Sequence, residues 1–308
     1  MDRTSNDFGA FVSRRLFLCL LPLLFLFALT GCRFGSDEPA RKTVKIAVNP
    51  WVGYTPFMYL DATGELKKFK FELVMVSSLG ENANLITNHL VDAFTATQYE
   101  FINYRDEMNG IVPLFPVDRS HGADKIHANV GLETLRSADR TIDVYLEMGS
   151  VNDDLFRAFV KKHGLQKKRF RYHHDPQSVI QTLEAEPGRI VVVVSYEPYS
   201  TILESHGIRE IASSRNLDIL IVDLLFADIG RIPDSKERFT ELKNAFWQAK
   251  KRLDENPEGF YRTIRKYLQG QDYAAFRKSL EGIEWLPELD EATKERLKRQ
   301  GIDTGHLL

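Results

Sequence analysis

Cysteine is nearly absent. Cys19 and Cys32 are the only two among 308 residues. Beyond residue 32 no disulfide, CxxC pair or cysteine-based metal site can form, so nothing there depends on redox state. An excess of one charge is missing too: 41 Lys and Arg stand against 43 Asp and Glu, a net −2. Balanced, well-mixed charge argues against nucleic acid, which calls for a basic face, and against a polybasic membrane patch. Long apolar runs are scarce. Leu16 to Leu29 is about 14 residues and contains Pro22, short of the roughly 18 that a membrane span needs. Ile219 to Phe226 (ILIVDLLF) has the length of a buried strand. There is no Ser-His-Asp set, nucleophile elbow or metal-binding helix motif, and no internal repeat or low-complexity segment.

What is there begins with Arg14–Arg15, the apolar run and then Leu29-Thr30-Gly31-Cys32. A charged region, an apolar region and small residues at a cut make a secretory signal. The cysteine directly after them resembles the lipobox of bacterial lipoproteins, in which that residue receives diacylglycerol and becomes the first of the mature chain. Residues 1–31 are therefore expected to be a signal peptide and Cys32 the lipidation site. Residues 32–42, polar with Gly, Ser and Pro, read as a tether. One acyl chain holds a membrane weakly; lipoprotein processing supplies more than one. A plain cleaved signal and an uncleaved anchor are the alternatives.

From Thr43 strands and helices alternate. Val44–Val48, Phe71–Val76, Ala93–Thr95, Ile111–Phe115, Thr141–Leu146, Phe170–His173, Ile190–Val194 and Ile219–Leu225 read as strands, with helices between them. Val191–Val194 within Ile190–Val194 suits a strand covered on both faces. Asp175-Pro176 reads as the cap and first turn of a helix to Glu186. After Pro233 only helices follow: 234–253, 257–268, 272–280 and 290–300. Strand–helix alternation before a helical tail predicts an α/β fold with parallel sheets. The 43% hydrophobic content supports a well-buried globule.

Ligands in such folds sit beyond the carboxyl ends of strands. Aromatic, hydroxyl and carboxylate residues recur there: Trp51 and Tyr54, Ser78, Thr97 and Gln98, His121 and Asp124, Glu147 with Gly149 and Ser150, then Glu197. Apolar walls with a few placed polar groups are what a small-molecule cleft needs. Trp51 and Tyr54 suit aromatic walls for a ring or a cation, or one of them packs into a core. Asp124 and Glu197 suit an amine, or an internal ion pair or cap. Gly149-Ser150 at a helix start can offer N–H groups to an anion, or serve as an ordinary cap, and Thr97 is similar. His173-His174-Asp175 looks like a metal cluster, but adjacent strand residues point to opposite faces, so no metal and no cofactor are expected. Lys161-Lys162 with Lys167-Lys168-Arg169 reads as a solvated helix end, with an importer-facing patch as the alternative.

Ile46-Ala47-Val48-Asn49-Pro50-Trp51-Val52-Gly53-Tyr54 resembles the first strand and loop of the nitrate/sulfonate/taurine (NMT1/THI5-like) substrate-binding proteins of ABC transporters. Val91-Asp92-Ala93 with Thr97 and Glu100, Ser120-His121-Gly122-Ala123-Asp124, Glu147-Met148-Gly149-Ser150-Val151 and Tyr196-Glu197-Pro198 resemble that family's later motifs, in order. The resemblance covers residues 44 to about 285. It implies a two-lobed type II periplasmic-binding-protein fold with a helical C-terminal tail. Lobe one is expected to span residues 43–130 plus 226–308, and lobe two 131–225. It further implies a monomeric, non-enzymatic lipoprotein on the periplasmic side of a bacterial membrane. Such a protein would deliver a small molecule to an ABC permease and ATPase, with no nucleic-acid partner. His121 and Tyr99 depart from the family pattern, which usually has Asn and Asp there. Relatives that make a thiamine-precursor pyrimidine rely on iron near a cysteine-rich segment, which this chain lacks. A sensory module for a membrane receptor is the remaining alternative. The strand-end acids Asp124, Glu147 and Glu197 outnumber the single histidine, so the expected ligand carries a nitrogen base, as an amine or heterocycle, rather than being a bare anion.

Overall fold

The computed structural model describes residues 42–308. The expectations for residues 1–31, for Cys32 and for the tether up to residue 41 lie outside the described residues.

The described residues build two sheets. The strands are β1 (Val44–Val48), β2 (Phe71–Met75), β3 (Ala93–Thr97), β4 (Ile111–Ser120), β5 (Asp124–Ala128), β6 (Ile142–Leu146), β7 (Phe170–His174), β8 (Val191–Tyr196), β9 (Arg209–Ser213), β10 (Val222–Asp228) and β11 (Ile283–Trp285). The first sheet runs β11-β4-β10-β3-β1-β2 and the second β7-β6-β8-β5-β9. β1 to β3 are parallel, as are β6 to β8, but β10 is antiparallel to both β3 and β4, and β5 is antiparallel to β8 and β9. The sheets are therefore mixed rather than parallel. Parallel neighbours need a long crossover connection; β5 and β10 instead arrive from the other lobe and can run the opposite way.

Both passages between lobes fall earlier than the sequence pattern suggests. The chain leaves the first sheet after Ser120 and joins the second at Asp124, so β5 belongs to the second lobe and not to a first lobe ending at residue 130. It leaves the second sheet after Ser213 and rejoins the first at Val222, ahead of residue 226. Short strands paired only with distant partners carry little local signal, and β5, β9 and β11 went unread for that reason. β11 also interrupts the helical tail, adding an edge to β4 through Ile283 and Ser120. The helix expected to run to Glu186 is one turn, Gln177–Ile180.

The passages are tied to each other. Ser120 Oγ and Ser214 Oγ are 2.9 Å apart, and the Gly122 N–H donates to Ser214 Oγ at 2.7 Å. A Cβ on Gly282 would stand 2.8 Å from the Ala123 nitrogen, so the segment before β11 packs closely on the first passage. The long helix Ser235–Glu255 lays Phe239 and Phe246 onto the first lobe, with ring centres 5.5 Å from Phe71 and 4.7 Å from Phe57. In β8 every residue is buried, so its Val191–Val194 run fills the centre of the second lobe. Among the described residues no helix is long and apolar enough to cross a membrane.

Candidate functional site

β3, β10 and β4 are neighbours, and their register decides the chemistry of the first lobe's upper edge. Asp223 on β10 pairs with Thr97 on β3 and with Asp118 on β4. Directly paired residues of antiparallel strands share a face, so Thr97, Asp223 and Asp118 form one row across three strands. Both aspartates are buried. Like charges directly opposite repel, and burial adds a desolvation cost to each. Burial holds the Asp118 and Asp223 carboxyls well above the ordinary carboxylate range, and their mutual repulsion raises Asp223 further.

The loop after β1 answers this row. Trp51 turns its indole N–H to Asp118, at 3.2 Å from Oδ2 and 3.3 Å from Oδ1. Tyr54 donates its hydroxyl to Asp223 Oδ1, while Asp223 Oδ2 has no partner among the described residues. Burial and the Asp223 charge hold the Tyr54 phenol protonated. Gly53 lies between: a Cβ there would fall 1.8 Å from Asp118 Oδ2. Only a residue without a side chain lets the Asp118 carboxyl approach this loop.

The second lobe closes over the row. Asp124, at the start of β5, and Tyr196, at the end of β8, sit opposite each other in register. Burial pushes the Asp124 carboxyl up to about 7, with a hydrogen bond from Ser120 acting against it. The Tyr196 ring meets Trp51 edge-on at 5.9 Å, and Asn49 Nδ2 donates to Tyr196 Oη at 3.4 Å across the lobes. Between the lobes lies a small cavity, lined by Trp51, Tyr54, Thr97, Asp124, Tyr196 and Asp223 among others. Among the described residues no lysine, arginine or histidine lines it. Two more buried carboxyls flank it. Burial raises Glu147 to about 8 and also raises Glu100.

No protein-family model matches the sequence, and no curated protein matches it. Solved structures do match the fold. One is the ligand-binding component of an ABC-type import system from Staphylococcus aureus, with zinc bound: TM-score 0.68 at 11% identity, covering 84% of this chain and 91% of that one. The periplasmic aliphatic sulphonate binding protein SsuA from Escherichia coli gives 0.67 at 13% identity, over 83% of this chain and 84% of that one. A Candida albicans protein described as exhibiting the generic periplasmic binding protein structural fold gives 0.62 at 17%, over 85% and 91%. The fold is that of the periplasmic binding proteins.

Within this binding-protein fold, Trp51, Tyr54, Thr97 and Asp124 come together at the cavity. The other residues singled out by sequence have different positions. Ser78 caps the helix Leu79–Thr87 by accepting the Glu81 N–H. Gln98 is buried and ties β3 to β10, donating to Leu220 O at 2.6 Å and accepting from Val222 N at 2.9 Å. His121 is exposed, and its carbonyl accepts from Arg215 Nε. Glu197 forms a buried ion pair with Lys125 at 2.7 Å. Lys125 and Glu197 turn away from the cavity, because side chains alternate along β5 and β8 and these two follow the cavity-facing Asp124 and Tyr196. Ser150 caps the helix Val151–His163, and Gly149 takes a positive φ of 80° and accepts from Asn103. Glu147 bridges to the first lobe, accepting the Leu79 N–H. Tyr99 is half-buried, and burial pushes its hydroxyl up to about 12. His173 pairs with Asp143 while His174 accepts from the Met148 N–H, so the two rings serve different neighbours. No metal cluster occurs among the described residues.

Asp118 and Asp223 escaped the sequence reading. Asp223 had a signal: it is the single charge inside ILIVDLLF, and a lone acid in a buried strand needs a reason. Asp118 had none, since nothing local marks Val117-Asp118-Arg119 as the end of a long strand.

Proposed function

We propose that this chain is an extracytoplasmic solute-binding lipoprotein that takes up a small organic ligand with a protonated nitrogen and passes it to an ABC importer. One observation carries the ligand class: the buried acids Asp223 and Asp124 line an aromatic-walled cavity that no cationic side chain lines among the described residues, with Asp118 paired to Asp223 on the next strand. Buried charge in a protein is normally paired. Here the pairing cation would be the ligand. Trp51, Tyr54 and Tyr196 suit its apolar surroundings and offer ring faces to a cation.

A bare anion fits poorly. The helices Leu79–Thr87 and Val151–His163 point their first N–H groups toward the cleft, and both groups already bond to Glu147 and Glu100. The transport role is supported by the fold and by neighbours described as import or periplasmic binding components. Closure would then be a hinge motion about the tied passages at Ser120 and Ser214, with no chemical step on the ligand. The Leu29–Cys32 motif supports an anchor that keeps the cleft beside the permease.

Calorimetry on the purified full chain in detergent tests this reading, using a panel of small amines, nitrogen heterocycles, nitrate and alkanesulfonates. Binding of amines or heterocycles is expected. Binding of nitrate or sulfonates alone would overturn the ligand class.

A further inference from the structure

The two lobes are bonded to each other by a reciprocal pair of glutamates. Glu147 belongs to the second lobe, just after β6. Its Oε1 stays at home and accepts the Gln177 N–H at 3.1 Å. Its Oε2 crosses to the first lobe and accepts the Leu79 N–H at 3.2 Å. Glu100 belongs to the first lobe, in the helix Gln98–Asn103. Its Oε2 stays at home on the Thr97 N–H at 2.9 Å and on the Thr97 hydroxyl. Its Oε1 crosses to the second lobe and accepts the Val151 N–H at 2.7 Å.

Leu79 and Val151 are the first residues of their helices. Their N–H groups have no partner within the helix and carry the positive end of its dipole. Each lobe thus sends one carboxyl oxygen to a helix start on the other. Glu100 and Glu147 are 1% and 2% exposed, so both bonds are shielded from water. The Asn103 side chain adds a bond across the lobes to Gly149 O at 3.0 Å, beside the Val151 contact.

The home bonds matter as much as the crossing ones. They hold each glutamate in place when the lobes part, so reclosing needs no new side-chain ordering. The freed amides and oxygens would meet water, so parting is reversible. We propose that Glu100 and Glu147 form a two-point clasp that holds the lobes closed without ligand. A ligand then binds by transient parting of a closed resting state, and the clasp sets how often that occurs. This does not depend on the ligand's chemistry, so failure of the amine reading would leave it standing.

Hydrogen–deuterium exchange on the ligand-free full chain in detergent tests it, followed at the Leu79 and Val151 amides. Both should be protected in the wild type. Glu147→Ala should raise exchange about tenfold at Leu79. It should also raise exchange at Val151, because parting separates both contacts together. Glu100→Ala should do the same in mirror image. If Glu147→Ala exposes Leu79 and Gln177 but leaves Val151 protected, the glutamates are local caps and the clasp is overturned. Loop-like exchange at Leu79 and Val151 in the wild type overturns it without any variant. Retained protection along Val191–Val194 reports that a variant is folded; should the alanine variants lose it, Glu147→Gln and Glu100→Gln keep the side-chain volume and carry the same comparison.

Discussion

The Trp51 indole N–H sits 3.2 Å from Oδ2 of Asp118, a buried carboxyl on a strand 67 residues further along the chain. That hydrogen bond lowers the cost of ionising Asp118, against the larger effect of burial, which raises it. Trp51→Phe should keep much of the ring and remove the donor. Losing a donor to a buried acceptor costs about 1–3 kcal/mol. The loss should be larger at pH 8 than at pH 5, because the ionised form needs the donor more. Urea unfolding at the two pH values checks this; equal losses would mean that Asp118 stays protonated throughout.

The empty protein should lose stability as pH rises. Asp124 and Glu147 have folded values of about 7 and about 8, against roughly 4 for an unfolded carboxyl. The folded state holds more protons in that window, so stability falls with rising pH. The contribution is complete below about pH 4 and is lost as pH passes through 7 and 8. Asp118→Asn should flatten the decline and raise the melting temperature at pH 8. A melting temperature that climbs from pH 5 to pH 8 would contradict the burial argument.

If a cation enters this cavity, it should displace protons. Ionising Asp118, Asp124 or Asp223 against a bound amine releases what each carboxyl held. Calorimetry near pH 6.5, in buffers of different ionisation enthalpy, should show heats that vary with the buffer. The same heat in every buffer would mean that the acids are already ionised when the ligand arrives.

Gly53→Ala should damage the site more than an ordinary loop substitution. The new Cβ would fall 1.8 Å from Asp118 Oδ2 and 2.5 Å from Trp51 Nε1. Both are held inside the protein, so one must move and their bond must break. Ligand affinity is expected to fall by at least about tenfold, an effect near that of losing the hydrogen bond itself. An affinity unchanged from wild type would place the ligand away from Trp51.

Cys32→Ser should leave ligand binding unchanged and release the protein from membranes. Fractionation of cells carrying the variant checks the anchor. Retention in the membrane fraction with the signal uncleaved would make the Leu16–Leu29 segment the anchor instead.

Much of the architecture is legible in local patterns. Val44-Lys45-Ile46-Ala47-Val48 can hardly be other than a strand, and Val191–Val194 needs cover on both faces. Helix starts are equally local, because a cap acts within three residues: Thr97 with Glu100, Ser150, Asp272 and Asp290 all accept from the first turn they precede. Trp51 and Tyr54 are legible because they end a strand and are aromatic. Gln98 and Glu197 show where such reasoning stops. Both stand at strand ends and are polar, yet each is committed to a bond inside the protein that only the neighbouring strand or side chain reveals.

The sequence by itself determined most of the alternation of strands and helices, several of the caps, the want of cysteine chemistry and the aromatic residues at one strand end; Asp175, read as a cap, is not one, because the helix there starts after Pro176 without a side-chain cap. These depend on contacts a few residues apart. The tertiary structure alone decided the acid row and the clasp. Asp118 and Asp223 become neighbours because β10 returns from the second lobe and pairs with β4, about a hundred residues after the chain left it. Glu147 and Glu100 reach across only when two separately built lobes face each other, and no periodicity in the chain encodes that meeting.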